Sequence, residues 1–153
     1  MRAYLLVVLT VLLGGSAAAA DPRERADGPG WRIEAIVAGG GGCAARRPSE
    51  EVDTLLLIND RDHVILVAAR PEWRLEPHQD LEATLAIDGA EPLAVKVNPL
   101  VNFVFFQPAD LALEQRILQA KSLRWHFPWG DFTADVTGLQ EAAEMVRRCN
   151  KGK

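Results

Sequence analysis

The residues able to do chemistry are few in this chain. Its histidines are His63, His78 and His126. They share no motif, and no pair stands at zinc-ligand spacing. Asp60, Asp62 and His63 gather donor atoms in and directly after the Asn59–Asp62 turn, but not at calcium-loop spacing. Those residue types prefer a solvated turn. Beyond residue 20 the only serines are Ser49 and Ser122, and neither sits in G-x-S-x-G. Gly39–Gly42 is followed by Cys43, with no Lys, Ser or Thr to complete a phosphate cradle, so it reads as a turn feeding Cys43 into place. One constellation suits general acid–base work, His126 beside Asp131 or Asp135. Its competitor is a solvated strand face. Nothing in the pattern calls for a cofactor or a metal.

The two cysteines are read through the compartment. Arg2, the apolar run Leu5–Leu13 and the alanines before Asp21 have the layout of a secretory signal over residues 1–20. The apolar run is well short of the roughly 20 residues that span a bilayer. An uncleaved N-terminal anchor is the alternative. Residues 21–30, polar and rich in Pro and Gly, read as a disordered leader. Residues 31–153 are one domain by length, with no later apolar run long enough to cross a membrane. In an exported chain, Cys43 and Cys149 most simply pair; in a reducing compartment Cys149 would be a buried thiol. The formal charge is −4, and basic residues cluster only at Arg46-Arg47 and Arg147-Arg148, which argues against a nucleic-acid partner.

Periodicity then supplies the scaffold. Strand patterns appear at Trp31–Val37, Cys43–Arg47, Thr54–Ile58, His63–Ala69, Leu81–Ile87 and Leu93–Val97. Asp88-Gly89 joins two of them as a hairpin turn. Leu100–Phe106 reads as one continuous, centrally buried strand. Pro108 opens a helix to about Lys121, with Asp110 in its first turn. Its leucines point two ways, Leu111 and Leu118 on one side, Leu113 and Ile117 on the other.

The chain closes with two strands and a helix. Leu123, Trp125 and Phe127 alternate with Ser122, Arg124 and His126, and Phe132, Ala134 and Val136 alternate with Asp131, Thr133 and Asp135. With Pro128–Asp131 as the loop, Phe127 faces Phe132, Trp125 faces Ala134 and Arg124 faces Asp135. Thr137 and Gln140 have capping-box spacing. The following helix puts Leu139, Ala142, Ala143, Val146 and Cys149 on its apolar side. The expected fold is α+β, a mostly antiparallel sheet or sandwich of about seven to nine strands with one inter-strand helix and a C-terminal helix.

Trp129 stands out at a turn tip, where small or polar residues are usual. Two readings stand. It folds back over the end of the core, or it anchors a partner together with His126 and Arg124. The closing stretch, with Phe132, Gly138, Leu139 and Ala142, resembles small exported bacterial proteins of the invasion-associated locus B type. That resemblance implies an envelope protein and no catalytic residue. The functional expectation is a non-catalytic periplasmic or secreted binding protein for an envelope or host partner. The alternatives are an envelope hydrolase using His126 and a nearby carboxylate, and a purely structural envelope component.

Overall fold

The computed structural model describes residues 30–36, 41–77 and 79–152. The expected signal, nearly all of the leader, Val37, Gly39, Gly40 and His78 lie outside the described residues.

Among the described residues, nine strands form one sheet that curls into a half-barrel. They are β1 (Arg32–Ile36), β2 (Gly42–Arg47), β3 (Asp53–Ile58), β4 (Val64–Ala69), β5 (Leu81–Ile87), β6 (Leu93–Leu100), β7 (Phe103–Phe106), β8 (Ser122–Phe127) and β9 (Gly130–Asp135). The order is β1-β2-β3-β4-β7-β6-β5-β8-β9, and every neighbouring pair is antiparallel. Helix α1 (Leu111–Leu118) lies between strands and α2 (Leu139–Lys151) ends the fold. The expected α+β class, strand content and helix placement therefore hold.

The main core gathers the inward residues of the strands with Ile117 and Leu118 of α1 and Leu139, Ala142, Ala143 and Val146 of α2. A second cluster lies on the opposite side of β3, β4, β6 and β7, where Leu55, Val67, Ala69, Leu100 and Phe103 are buried. β3, β4 and β7 bury residues on both faces, which is why they read as apolar runs, whereas β6 alternates with Ala94, Lys96 and Asn98 exposed. Helix α2 packs against β1, β2, β3 and α1. The Cys43–Cys149 disulfide fixes it to β2, with Cα atoms 6.0 Å apart. Beside the bridge, the Cys43 N–H donates to Asn150 Oδ1 at 2.8 Å.

Four expectations on chain reversal and capping need correction. Leu100–Phe106 is not one strand. It turns at Val101-Asn102, so Leu100 pairs with Phe103 across a hairpin. Val101 sits at φ 48, unusual for a β-branched residue. The 70–75 loop holds this tip, with the Leu75 N–H on the Val101 carbonyl at 2.6 Å and the Arg70 N–H on the Asn102 carbonyl at 2.9 Å. Next, α1 starts three residues after Pro108. Asp110 is its N-cap, accepting the Leu113 N–H at 2.8 Å, rather than a first-turn residue. Leu111 is left exposed while Leu118 is buried, so the helix has one packed side.

The capping box at Thr137 does not form. Gly138 at φ 82 precedes α2, without a side-chain cap. The Thr137 carbonyl instead accepts the Trp31 indole N–H and the Arg47 guanidinium, each at 2.9 Å. Last, the β8–β9 loop has two residues, Pro128 and Trp129, and not four. Trp125 pairs with Phe132, Leu123 with Ala134 and His126 with Asp131. That register differs by two residues from the expected one. The side-chain period is also two, so every inward residue stays inward. Gly130 takes φ 149 at the turn, where a Cβ would meet the Phe132 ring at 3.4 Å.

Candidate functional site

The β8–β9 hairpin carries Arg124, His126 and Trp129, and its root is held from outside. Asp88, in the β5–β6 turn, accepts the N–H groups of Lys121 at 2.8 Å and Ser122 at 2.9 Å through one carboxylate oxygen. Its own N–H donates to the Ser122 carbonyl at 3.0 Å. The N–H donors of Ser122 and Lys121 hold the Asp88 carboxyl below its ordinary range. Asp88 at φ 50 and Gly89 at φ 73 make the turn that aims this carboxylate.

On the outward side, Asp131 organises the exposed polar residues. One carboxylate oxygen meets the His126 Nδ1 and the other accepts Arg124 Nη2 at 3.3 Å. All three side chains are exposed, at 66% for Arg124, 67% for His126 and 47% for Asp131. The hydrogen bond from His126, with the charge of Arg124 behind it, lowers the Asp131 pKa. The expected Arg124–Asp135 pair is absent, because the two-residue turn moves Asp135 opposite Ser122. Asp135 pairs with Arg47 instead. Burial opposes ionisation of Asp135, but the Thr137 N–H and Arg47 outweigh it and its pKa is lowered.

Trp129 belongs to the other side of the hairpin. Its ring stacks on Phe127 with centroids 4.9 Å apart and planes 8° apart, and Phe127 stacks on Trp125 in the same way at 5.6 Å. Trp73 closes edge-on against Phe127, Trp129 and Phe132. Arg70 lies over Phe132 at 5.6 Å, within cation–π range. Trp129 is half-buried and its indole nitrogen has no hydrogen-bond partner. Trp129 thus folds back over the end of the core. Arg124 and His126 stand together on the outward face, and Trp129 does not join them.

A second polar cluster escaped the sequence reading. Glu114 of α1 is 4% exposed, the one buried acidic residue among those described. Its Oε2 lies 3.2 Å from His63 Nδ1, and its Oε1 lies 3.8 Å from Arg147 of α2. Arg147 also donates to the Asp62 carboxylate at 2.9 Å and carbonyl at 3.2 Å. Asp62 and His63 do lie at a turn, and Asn59 Oδ1 accepts the N–H groups of Arg61 and His63. The signal for Glu114 was its helical spacing, three and four residues before the buried Ile117 and Leu118.

Among the described residues, no group of three or more His, Cys, Asp or Glu is placed to hold a metal ion. No described helix is long and apolar enough to cross a membrane. No family model, curated protein or solved structure matches this chain.

Proposed function

We propose that this chain is an exported bacterial protein that binds a cell-envelope or host partner and catalyses nothing. The observation that carries the reading is the outward triad of Arg124, His126 and Asp131. The triad is exposed and preordered, and it stands on strands whose other side is core. Side chains held this way lose less entropy on binding than free ones. Trp129 serves the site indirectly, by pinning the turn from behind. The disulfide suits an oxidising compartment. The layout of residues 1–20 and the resemblance to the invasion-associated locus B type favour the bacterial envelope.

The test is retention of a partner from a cell-envelope extract on immobilised wild-type protein and on R124A/H126A. Loss of capture by the double variant with unchanged thermal melting is the expected result. Equal capture by both proteins removes the triad from the site.

One observation favours a second reading, an envelope hydrolase. With Nδ1 against Asp131, His126 leaves Nε2 open to act as a base. Ser122, four strand residues away, is about 13 Å off, too far to be its nucleophile. Hydrolysis would then use water. A hydrolytic activity abolished by His126→Ala would establish this reading over the first.

A further inference from the structure

We propose that the free edge of β9 is a strand-addition site for an extended basic peptide, with the Glu51 carboxylate as its displaceable plug. This rests on the binding reading above and names its mode. Among the described residues, β9 ends the sheet and pairs only with β8. Successive residues of an edge strand aim their backbone groups alternately at the neighbour and away from it. The Thr133 N–H is one that aims away. Among the described residues it meets no strand and donates instead to Glu51 Oε2 at 2.7 Å, from the loop between β2 and β3. Sheet edges of this kind are usually guarded, because an unpaired N–H and C=O row accepts another strand. The guard here is a single exposed side chain. It can swing into water and yield its donor to a peptide carbonyl at little cost.

The surroundings select the peptide. Arg47, bound to Asp135 and the Thr137 carbonyl, occupies the far end of the edge. That leaves the stretch around Asp131 and Thr133 for pairing. An added strand there lays its outward side chains beside Asp131 and Thr133, which are exposed, and its inward ones beside the buried Phe132. Once displaced, the Glu51 carboxylate stays next to the new strand. Lysine or arginine flanked by apolar residues therefore fits, with the cation beside the released Glu51 carboxylate and the apolar side chains turned inward.

The experiment uses the disulfide-intact protein and a blocked peptide alternating lysine and valine, with a glutamate–valine peptide as control. Amide hydrogen exchange at Thr133 is the readout. Saturating lysine peptide should slow it at least ten-fold, and the control should leave it unchanged. Glu51→Ala should speed Thr133 exchange about ten-fold without peptide, and the lysine peptide should restore protection. Thr133→Pro, which removes the donor at an edge position that tolerates proline, should abolish binding of a dye-labelled lysine peptide read by fluorescence anisotropy. No protection of Thr133 up to about 1 mM lysine peptide overturns the proposal, since affinity would then be weaker than about −4 kcal/mol. Equal protection by the two peptides overturns its basic specificity. If capture from envelope extract depends on Arg124 and His126 while Thr133 stays unprotected, strand addition fails and the binding reading stands. If the peptide protects Thr133 while R124A/H126A captures as wild type does, the triad reading fails and the edge remains.

Discussion

The molecule holds two polar clusters built from the same three kinds of side chain. At one end, Asp131 holds Arg124 and His126. Near the other end of the sheet order, Glu114 meets Arg147 and His63. The carboxylate decides their difference. Asp131 is 47% exposed and Glu114 is 5% exposed at the side chain. Charges that stay in water gain little by pairing, typically about 0–1 kcal/mol. A carboxylate taken out of water costs several kcal/mol unless its partners compensate. The Glu114 cluster therefore serves the fold, because α1, α2 and the β3–β4 turn all meet there. The Asp131 cluster stays in water, so its pairing adds little to the fold and its outer faces remain open to a partner.

The largest effect that separates the two clusters comes from the disulfide. The bridge closes a chain separation of 106 residues and sits two positions after Arg147 on α2. The variant C43S/C149S should lose about 4–5 kcal/mol by the chain-entropy model. Hydrogen exchange in that variant should rise first in α2 and around Glu114, while β8 and β9 keep their protection. Uniform acceleration through both regions would erase the distinction. Glu114→Ala comes next. It should cost about 1–3 kcal/mol, the range for leaving hydrogen-bonding partners unsatisfied. Arg147→Ala on top of it should add less than its own separate cost, since the two share one network. Asp131→Ala and Arg124→Ala should be additive within error, because both face water. Chemical denaturation of the four single and two double variants reads both cycles.

Which side chains point inward was legible almost throughout, because alternation fixes faces. Leu123, Trp125, Phe127, Phe132 and Ala134 are all buried as the period implies. Partners across strands were not legible, because they depend on loop length. Pro128–Asp131 reads as a plausible four-residue loop, yet two residues close it and Trp129 swings back onto Phe127. The turn at Val101-Asn102 carries no glycine. It is held by Leu75 and Arg70, residues of a loop far away in the chain. Glu114 was visible on its helix as an acid among apolar neighbours. Its partner His63 lies 51 residues earlier, and no local pattern links them. In the candidate site, Arg124 and His126 were legible as outward residues. Asp131 was one of two carboxylates read beside His126; its choice over Asp135, its sharing with Arg124, and Glu51 on the Thr133 N–H required the register.

The smallest expected effect falls on Asp131, and its smallness is the point of the comparison. At neutral pH, Asp131→Asn should leave the melting temperature unchanged within error, as for an exposed ion pair. The acid limb gives a finer reading. The folded-state pKa of Asp131 is lowered, chiefly by its hydrogen bond from His126. A lowered carboxyl contributes stability that is complete above the unfolded value of about 3.9 and is lost as pH falls through the folded value. The Asn variant, having no such proton to take up, should lose less stability than wild type as pH falls below about 4. Asp88→Asn should flatten the same limb, because Asp88 too is lowered, by the Ser122 and Lys121 N–H groups. The two then part in function. Asp131→Asn releases Arg124 and His126 from their common acceptor and should weaken partner capture at unchanged melting temperature. Asp88→Asn loosens the root of the hairpin, and any loss of capture it causes should come with lower melting. A marked fall in melting for Asp131→Asn at pH 7 would put this cluster in the same structural class as the one at Glu114.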